Sequence, residues 1–374
     1  MRGPGTCRKE IIVSIYYNMP RQPDRPIRPH TQDSLQEGHK NSLFRGKGRP
    51  RNCRVLAPVE AKIRLGISAC LLGEKVRYDG GHKLDLYLKE TLGRYVEWVP
   101  VCPEVDMGLT VPREPMRLVG DPVSPRLVTL RTGVDYTDRM VRWAEEQMQE
   151  LSLIDLQGFI FKSRSPSSGM KGVKVYGKSG VPSGTGIGIF AREFMSRFPL
   201  LPVEDDGRLQ DPSIRENFIE RLFVYKRWHD SIHEDSSMRD LVSFHTDHKL
   251  LIMSHSPGHY SLLGSLVAKG RRYIFSKLCR EYITTLVKGL TFIATTRKNT
   301  NVLHHILGYF KKNLSADEKQ EMVGVIGAYY RGIIPLIVPV TLLRHYVTKY
   351  DEPYLKRQHY LNPHPLELML RNRV

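Results

Sequence analysis

The chain has 374 residues, and 57 lysines and arginines against 39 aspartates and glutamates give it a formal charge of +18. Hydrophobic residues make up 40% of it, which excludes a wholly disordered or fibrous protein, and no run of 18 apolar residues predicts a membrane span. The length predicts two or three domains, and the charge favours a polyanionic partner, nucleic acid before an anionic membrane surface. Five irregularly spaced cysteines favour a reducing cytoplasm over a disulfide framework.

The first part of the chain divides into a tail and a domain. Residues 1–60 are rich in proline and basic residues, which predicts a disordered basic arm. After it, short apolar runs alternate with amphipathic stretches. The predicted strands are 62–68, 98–105 and 158–163, and the predicted helices are 82–95, 135–151 and 185–199. This alternation predicts an α/β domain with a mostly parallel sheet over residues 61–205.

The second part, residues 212–374, has helical periodicity almost throughout and predicts an all-α domain, with a capping box at 315–318. Its basic residues and interspersed aromatic residues predict an RNA-docking surface; alternatively, the aromatic residues form a core and the charges a solvated face. His245, His248 and His255 share one predicted helical face. We favour solvated or phosphate-facing histidines there over a metal site, because acidic co-ligands are sparse.

Three segments at predicted strand ends are candidates for a functional site, because ligands bind at the carboxyl ends of parallel strands. They span residues 68–83, 101–115 and 162–177 and contain small residues that allow a close backbone approach. Cys70 and Cys102 lie in the first two. Single cysteines from separate loops suit an iron–sulfur or redox centre better than a zinc knuckle, whereas the alternative is that both are small core residues.

The sequences of these segments, SACLLGEKVRYDGGHK, VCPEVDMGLTVPREP and KSRSPSSGMKG, resemble the TudS family of thiouracil desulfidases over about residues 62–205. Residues 212–374 resemble the YbgA domain, through segments such as FHTDHKLLIMSHSPGHY and YLNPHPLELMLRN. The fusion of the two resembles the RudS-type prokaryotic RNA thiouridine desulfidases. The resemblance implies removal of sulfur from 4-thiouridine in tRNA, giving uridine and sulfide, with the helical domain binding the tRNA.

The resemblance also implies a [4Fe–4S] cluster that three cysteines hold and that leaves one iron open. Cys70 and Cys102 match two of these ligands, but Ser168 stands where the third cysteine is expected. Ser168 is then a weak ligand, or a remote cysteine such as Cys53 or Cys279 replaces it, or the chain is a non-catalytic RNA-binding protein that has lost the cluster. A further alternative is an enzyme that acts on free 2-thiouracil.

Two polar residues fall where the family places its catalytic groups. The resemblance implies that Glu104 deprotonates the attacking water and that Ser165 binds the substrate or relays a proton. The alternatives are that Glu104 merely pairs with Arg77 or Arg113 and that Ser165 is a turn residue.

Substrate-binding residues are predicted in the first of the three segments. Arg77, Asp79, His82 and Lys83 share one glycine-containing loop and, together with Arg113 of the second segment, are the candidates for orienting a base or phosphate. Hydrogen bonding within the turn is the alternative explanation for the four loop residues.

Overall fold

The structure, a computed structural model, describes residues 62–177 and 179–372, so the predicted arm at 1–60 lies outside the described residues. The described residues form an α/β part followed by a helical part. The strands are β1 Ile63–Ser68, β2 Val96–Val101, β3 Met116–Gly120, β4 Pro125–Thr129, β5 Gly158–Phe161, β6 Val173–Tyr176, β7 Pro182–Gly186 and β8 Val203–Asp205. The helices are α1 Pro103–Asp106, α2 Thr137–Leu153, α3 Ile189–Arg197, α4 Pro212–Ser231, α5 Met238–His255, α6 Pro257–Ala268, α7 Phe275–Leu290, α8 Thr296–Leu307, α9 Ala316–Tyr330, α10 Ile337–Lys349 and α11 Pro353–Lys356.

The predicted parallel sheet is confirmed and has the order β2-β1-β5-β8, with every neighbouring pair parallel. Its central strands are apolar on both faces, as expected where both faces of a sheet are covered. On one face, α2 and α3 pack on Phe159 and Phe161. On the other face, α4 packs on Leu65 and Ile67. The carboxyl ends of β1, β2 and β5 therefore lie side by side.

A second sheet was not predicted. It has the order β4-β3-β6-β7 and contains antiparallel pairs β3–β4 and β6–β7 besides the parallel pair β3–β6. The predicted helix over 82–95 is wrong, because only a π-helical turn at Tyr87–Thr91 and a 3-10 turn at Leu92–Arg94 form there. Leu84 and Leu86 are exposed, so the leucines supply no continuous apolar stripe for a longer helix.

The remaining helices confirm the all-α second part, and they share one large core. The capping box is also confirmed: Ser315 caps α9 together with Glu318. The domain limits 61–205 and 212–374 remain a prediction, since α4 belongs to the sheet core through Leu222 and to the helical core through Trp228. Within residues 62–177 and 179–372, no helix combines the length and apolar character needed to cross a bilayer.

The expectation that the clustered histidines are solvated is wrong. His245, His248 and His255 are all buried, because α5 is packed on several sides by neighbouring helices. The Nδ1 atom of His245 lies 3.0 Å from the Tyr282 hydroxyl, and Nδ1 of His248 lies 2.8 Å from its own helix's Phe244 carbonyl. These histidines are therefore part of the interior of the helical part.

Candidate functional site

The carboxyl ends of β1, β2 and β5 enclose a cavity of about 310 Å³. A 3-10 turn follows β1, the short helix α1 follows β2, and a loop follows β5, so each predicted segment contributes to the same cavity. The predicted residues that line it are Cys70, Arg77, Lys83, Cys102, Glu104, Arg113, Ser165 and Ser168. Three strand-end segments that are distant in the sequence therefore meet as expected for a parallel sheet.

The two cysteines face this cavity as free thiols. Cys70 is buried and Cys102 is partly buried, with its Sγ 3.8 Å from the Val76 carbonyl. Burial raises the pKa of Cys70 to about 11, an effect that the nearby Lys162 ammonium opposes. Burial also raises the pKa of Cys102. Both thiols therefore hold their protons at neutral pH until a metal displaces them.

Ser168 occupies the position of the third expected ligand. The residue is 3% exposed and lines the cavity, and its backbone N–H donates to the Ser165 hydroxyl at 3.1 Å. Within the described part of the chain, the Ser168 hydroxyl itself makes no hydrogen bond. Cys279 does not replace it, because Cys279 is packed in the core of the helical part, and Cys53 lies outside the described residues.

Glu104 is held at both carboxylate oxygens. Arg113 donates from Nε to Oε2 at 2.9 Å and contacts the same oxygen through Nη2, and the Ser167 hydroxyl donates to Oε1 at 2.9 Å. The predicted pairing with Arg113 therefore occurs, inside the cavity wall, where both side chains are largely buried. A carboxylate fixed in this way has a defined orientation toward the cavity.

Ser165 connects this carboxylate to the loop that carries Ser168. Its hydroxyl lies 3.0 Å from the Ser167 hydroxyl and accepts the backbone N–H groups of Ser167 and Ser168. The turn interpretation of Ser165 is thus correct for its backbone bonds, but the side chain also begins a hydroxyl chain through Ser167 to Glu104. Such a chain has the geometry required to pass a proton.

Two of the predicted substrate-binding residues do not line the cavity. Asp79 accepts two hydrogen bonds from Arg77, at 3.1 and 3.2 Å, and one from the Gly81 N–H. His82 is exposed and its Nδ1 accepts the Leu84 N–H at 3.2 Å. Both therefore fulfil the alternative of bonding within the turn, whereas Arg77 reaches the cavity.

Among the cavity residues that the sequence analysis did not single out are Lys162, Arg164 and Ser167. Lys162 directly follows β5 and forms an ion pair with Asp206 at 2.8 Å. Ser167 is 1% exposed and bridges Ser165 and Glu104. Arg164 is exposed and adopts φ 59°, a left-handed conformation that is uncommon outside glycine. Their position directly after a buried strand is the signal that could have identified them.

The cavity fits the implied cluster in position but only partly in chemistry. Two thiols and an unbonded hydroxyl lie around one cavity, and thiolates are the usual cluster ligands. An oxygen donor is harder than sulfur, so Ser168 would hold iron more weakly than a cysteine. Accordingly, no three histidine, cysteine or carboxylate side chains among residues 62–177 and 179–372 form a metal-binding group.

Comparisons with known proteins match two successive segments of the chain. The sequence model of the 2-thiouracil desulfurase family matches residues 65–206, and that of the protein of unknown function DUF1722 matches residues 249–365. The uncharacterized protein YbgA of Escherichia coli is 29% identical over 153 residues, which cover 41% of this chain and 90% of YbgA. The uncharacterized protein YbbK of Bacillus subtilis is 28% identical over 108 residues, which cover 28% of this chain and 71% of YbbK.

A solved structure of the [4Fe-4S]-dependent thiouracil desulfidase TudS is 32% identical, covering 40% of this chain and 95% of that one, with a TM-score of 0.33. The two family matches lie one after the other and leave the three cavity segments within the first. The chain is therefore a two-domain protein of the TudS–YbgA type, a 2-thiouracil desulfurase segment followed by a DUF1722 segment.

Proposed function

We propose that the chain is a desulfidase that converts 4-thiouridine in tRNA to uridine and releases sulfide. The observation that carries the proposal is the meeting of Cys70, Cys102, Ser168 and Glu104 around one 310 Å³ cavity in a segment of the 2-thiouracil desulfurase family. A cavity of this size is large enough for one base, and the reacting atoms of a paired base inside a helix would not reach it. The target nucleotide must therefore be unpaired or extruded from the tRNA.

The cofactor of the proposed reaction is a [4Fe–4S] cluster, with the thiolates of Cys70 and Cys102 and the oxygen of Ser168 as its protein ligands. When bound, the cluster supplies a thiophilic, Lewis-acidic iron that polarises the thiocarbonyl group. Lys162 supports this site, because its positive charge favours the thiolate form of Cys70.

The remaining chemistry belongs to the Glu104 network. Arg113 and Ser167 orient Glu104, which accepts a proton from the water that adds to C4 of the base. The Ser165–Ser167 hydroxyl chain then carries a proton to the departing sulfur. The water oxygen becomes O4, the C–S bond breaks and hydrogen sulfide leaves, so atoms balance and neither oxidant nor reductant is consumed.

Charge around the cavity supports an RNA substrate over a free base. In the part of the chain that the structure describes, Lys83 and Arg164 line the cavity, are exposed and form no ion pair. Two unpaired cations at the mouth of a base-sized cavity suit the phosphates that flank a target nucleotide. A neutral free base would make no use of them.

The test is turnover with cofactor analysis. The wild type and Ser168→Cys are purified without oxygen, iron and sulfide are quantified, and loss of 4-thiouridine from tRNA is followed by nucleoside analysis. We expect more iron and faster turnover in Ser168→Cys and no turnover in Cys70→Ala. Full turnover by iron-free protein would exclude a cluster-dependent reaction.

The second candidate is a non-catalytic RNA-binding protein, which the oxygen donor at Ser168 favours. In that case tRNA binding survives Cys70→Ala, and neither the wild type nor Ser168→Cys shows turnover.

An enzyme that acts on the free base is distinguished by the salt dependence of tRNA binding. In Lys83→Ala and Arg164→Ala, the slope of log K against log salt for tRNA should fall by roughly 1 for each lost phosphate contact, whereas Arg142→Ala on α2 should keep the full slope.

A further inference from the structure

The helical part contains a second cavity, of about 380 Å³, that is separate from the cavity at the strand ends. One face of α4 lines it, together with the end of α5, the start of α8, the end of α9 and the C-terminal segment. Five stretches of chain therefore converge on it. The volume lies within the range of sites for small organic molecules.

A buried charged cluster forms the floor of this cavity. The Arg371 guanidinium donates from Nη2 to Glu220 Oε1 at 2.8 Å and from Nη1 to the Tyr360 carbonyl at 2.7 Å. His255 Nε2 lies 3.0 Å from Glu220 Oε2, and its Nδ1 lies 2.8 Å from the Phe292 carbonyl. Glu220 and Arg371 are almost completely buried. Apolar residues fill such a position at equal or lower cost in stability, so the cluster calls for a role other than stability.

One donor of the cluster has no hydrogen-bond partner. The Nε atom of Arg371 is buried and, within the described residues, makes no hydrogen bond; the nearest carboxylate oxygen, Glu216 Oε1, forms an ion pair with it at 3.5 Å. A buried donor without an acceptor is costly, and a ligand that supplies an acceptor removes that cost. Because Arg371 and Glu216 both line the cavity, the donor and an acceptor stand next to each other on its wall.

The charges of the lining select the ligand class. Glu216 and Glu220 repel phosphate and other anions, and both carboxylates already pair with the Arg371 guanidinium, so a further cation gains little and a neutral ligand is favoured. Besides the His255 imidazole, the other polar lining groups are amides and hydroxyls, those of Ser213, Asn217, Thr295, Thr296, Asn299 and Tyr329. Apolar side chains such as Ile293 and Leu336 complete the wall and can contact the faces of a ring.

We propose that this cavity binds a nucleobase or nucleoside of the uracil type. Such a ring carries a carbonyl beside an N–H on one edge: the carbonyl accepts from Arg371 Nε, and the N–H donates to Glu216, whose carboxylate accepts several hydrogen bonds. The ligand is a free nucleoside or a base extruded from RNA. The inference concerns binding alone and does not depend on desulfuration at the other cavity.

The test is photo-crosslinking of the full-length protein with 4-thiouridine, whose thiocarbonyl forms covalent bonds to nearby residues under ultraviolet light. The crosslinked peptides are identified by mass spectrometry. We expect saturable crosslinks within 293–299 or 329–336 that unlabelled uridine competes away and inorganic phosphate does not. The same crosslinks with the free nucleoside indicate a metabolite site, and crosslinks only with an oligonucleotide containing 4-thiouridine indicate an extruded base.

Variants make the result specific. Glu216→Ala removes the acceptor and should weaken uridine binding at least about tenfold, because a charged hydrogen bond is lost. Tyr329→Phe keeps the ring and serves as a second variant should Glu216→Ala fail to fold; it should also weaken binding. Glu321→Ala on the exposed face of α9 is the matched control and should bind as the wild type. Crosslinks confined to the strand-end segments, or undiminished in both cavity variants, would overturn the proposal.

Discussion

Buried histidines should make the helical part sensitive to acid. Burial, aided by the Lys249 charge, lowers the pKa of His245 to about 4, whereas the unfolded chain has the ordinary value near 6.5. Between these values the unfolded state binds more protons, so stability falls as the pH is lowered through this window. Lowering the pH from 7.5 to 5.0 should therefore cost about 2 kcal/mol at His245. Burial also lowers the pKa of His364 to about 4, which roughly doubles the loss.

Burial lowers the pKa of His359 and His248 as well, so the total loss is at least about 4 kcal/mol, a large and measurable part of the usual 5–15 kcal/mol of domain stability. The assay is urea unfolding of the full chain at both pH values, monitored by the far-ultraviolet circular dichroism of its helices. His245→Gln keeps a group that can bond the Tyr282 hydroxyl but does not titrate, and it should recover about 2 kcal/mol of the loss. His304→Gln, on the exposed side of α8, should lose as much as the wild type. Equal losses in all three proteins would refute the reasoning.

Two further predictions concern local packing and capping. A Cβ atom at Gly66 in β1 would lie 2.2 Å from the Phe159 ring, so Gly66→Ala should lower the free energy of unfolding in urea by about 1–3 kcal/mol. Gly258 in α6 has open space around it, so the control Gly258→Ala should be neutral or stabilising. Equal effects of the two substitutions would contradict this prediction. Ser315→Ala removes the α9 cap that Ser315 forms with Glu318 and should lower the free energy of unfolding by about 1 kcal/mol, and an unchanged midpoint would argue against the cap.

The sequence predicted the parallel sheet because strands buried on both faces form short, continuous apolar runs, and the helical part because its periodicity extends over many turns. It did not predict the second sheet. Strand β7, Pro182–Gly186, contains no large apolar side chain and is recognised only by its pairing with β6. The opposite error occurred at residues 82–95, where the spacing of the leucines predicted a helix but the chain makes only short turns.

At the candidate site, the sequence predicted which residues lie at the cavity but not which residues they contact. Small residues at strand ends placed Cys70 and Cys102 around one cavity, since the topology of a parallel sheet brings such ends together, and the family resemblance added Ser168. The partner of Lys162 is Asp206, which no spacing rule connects to it. The pairing of Glu220 with Arg371 joins residues 151 positions apart, so the second cavity had no signal in the sequence.

Helix α4 ties the two halves of the molecule into one folding unit. Its Phe218, Ile219 and Leu222 side chains cover the strands of the parallel sheet, and Trp228, two turns further along, belongs to the helical core. A fragment ending at residue 206 would lack α4, so the strand side chains beneath that helix would face water. Such an exposed apolar surface promotes self-association. Cutting the chain between its two family matches, before α4, should therefore give an N-terminal fragment that aggregates. An N-terminal fragment that stays in solution should extend through α4.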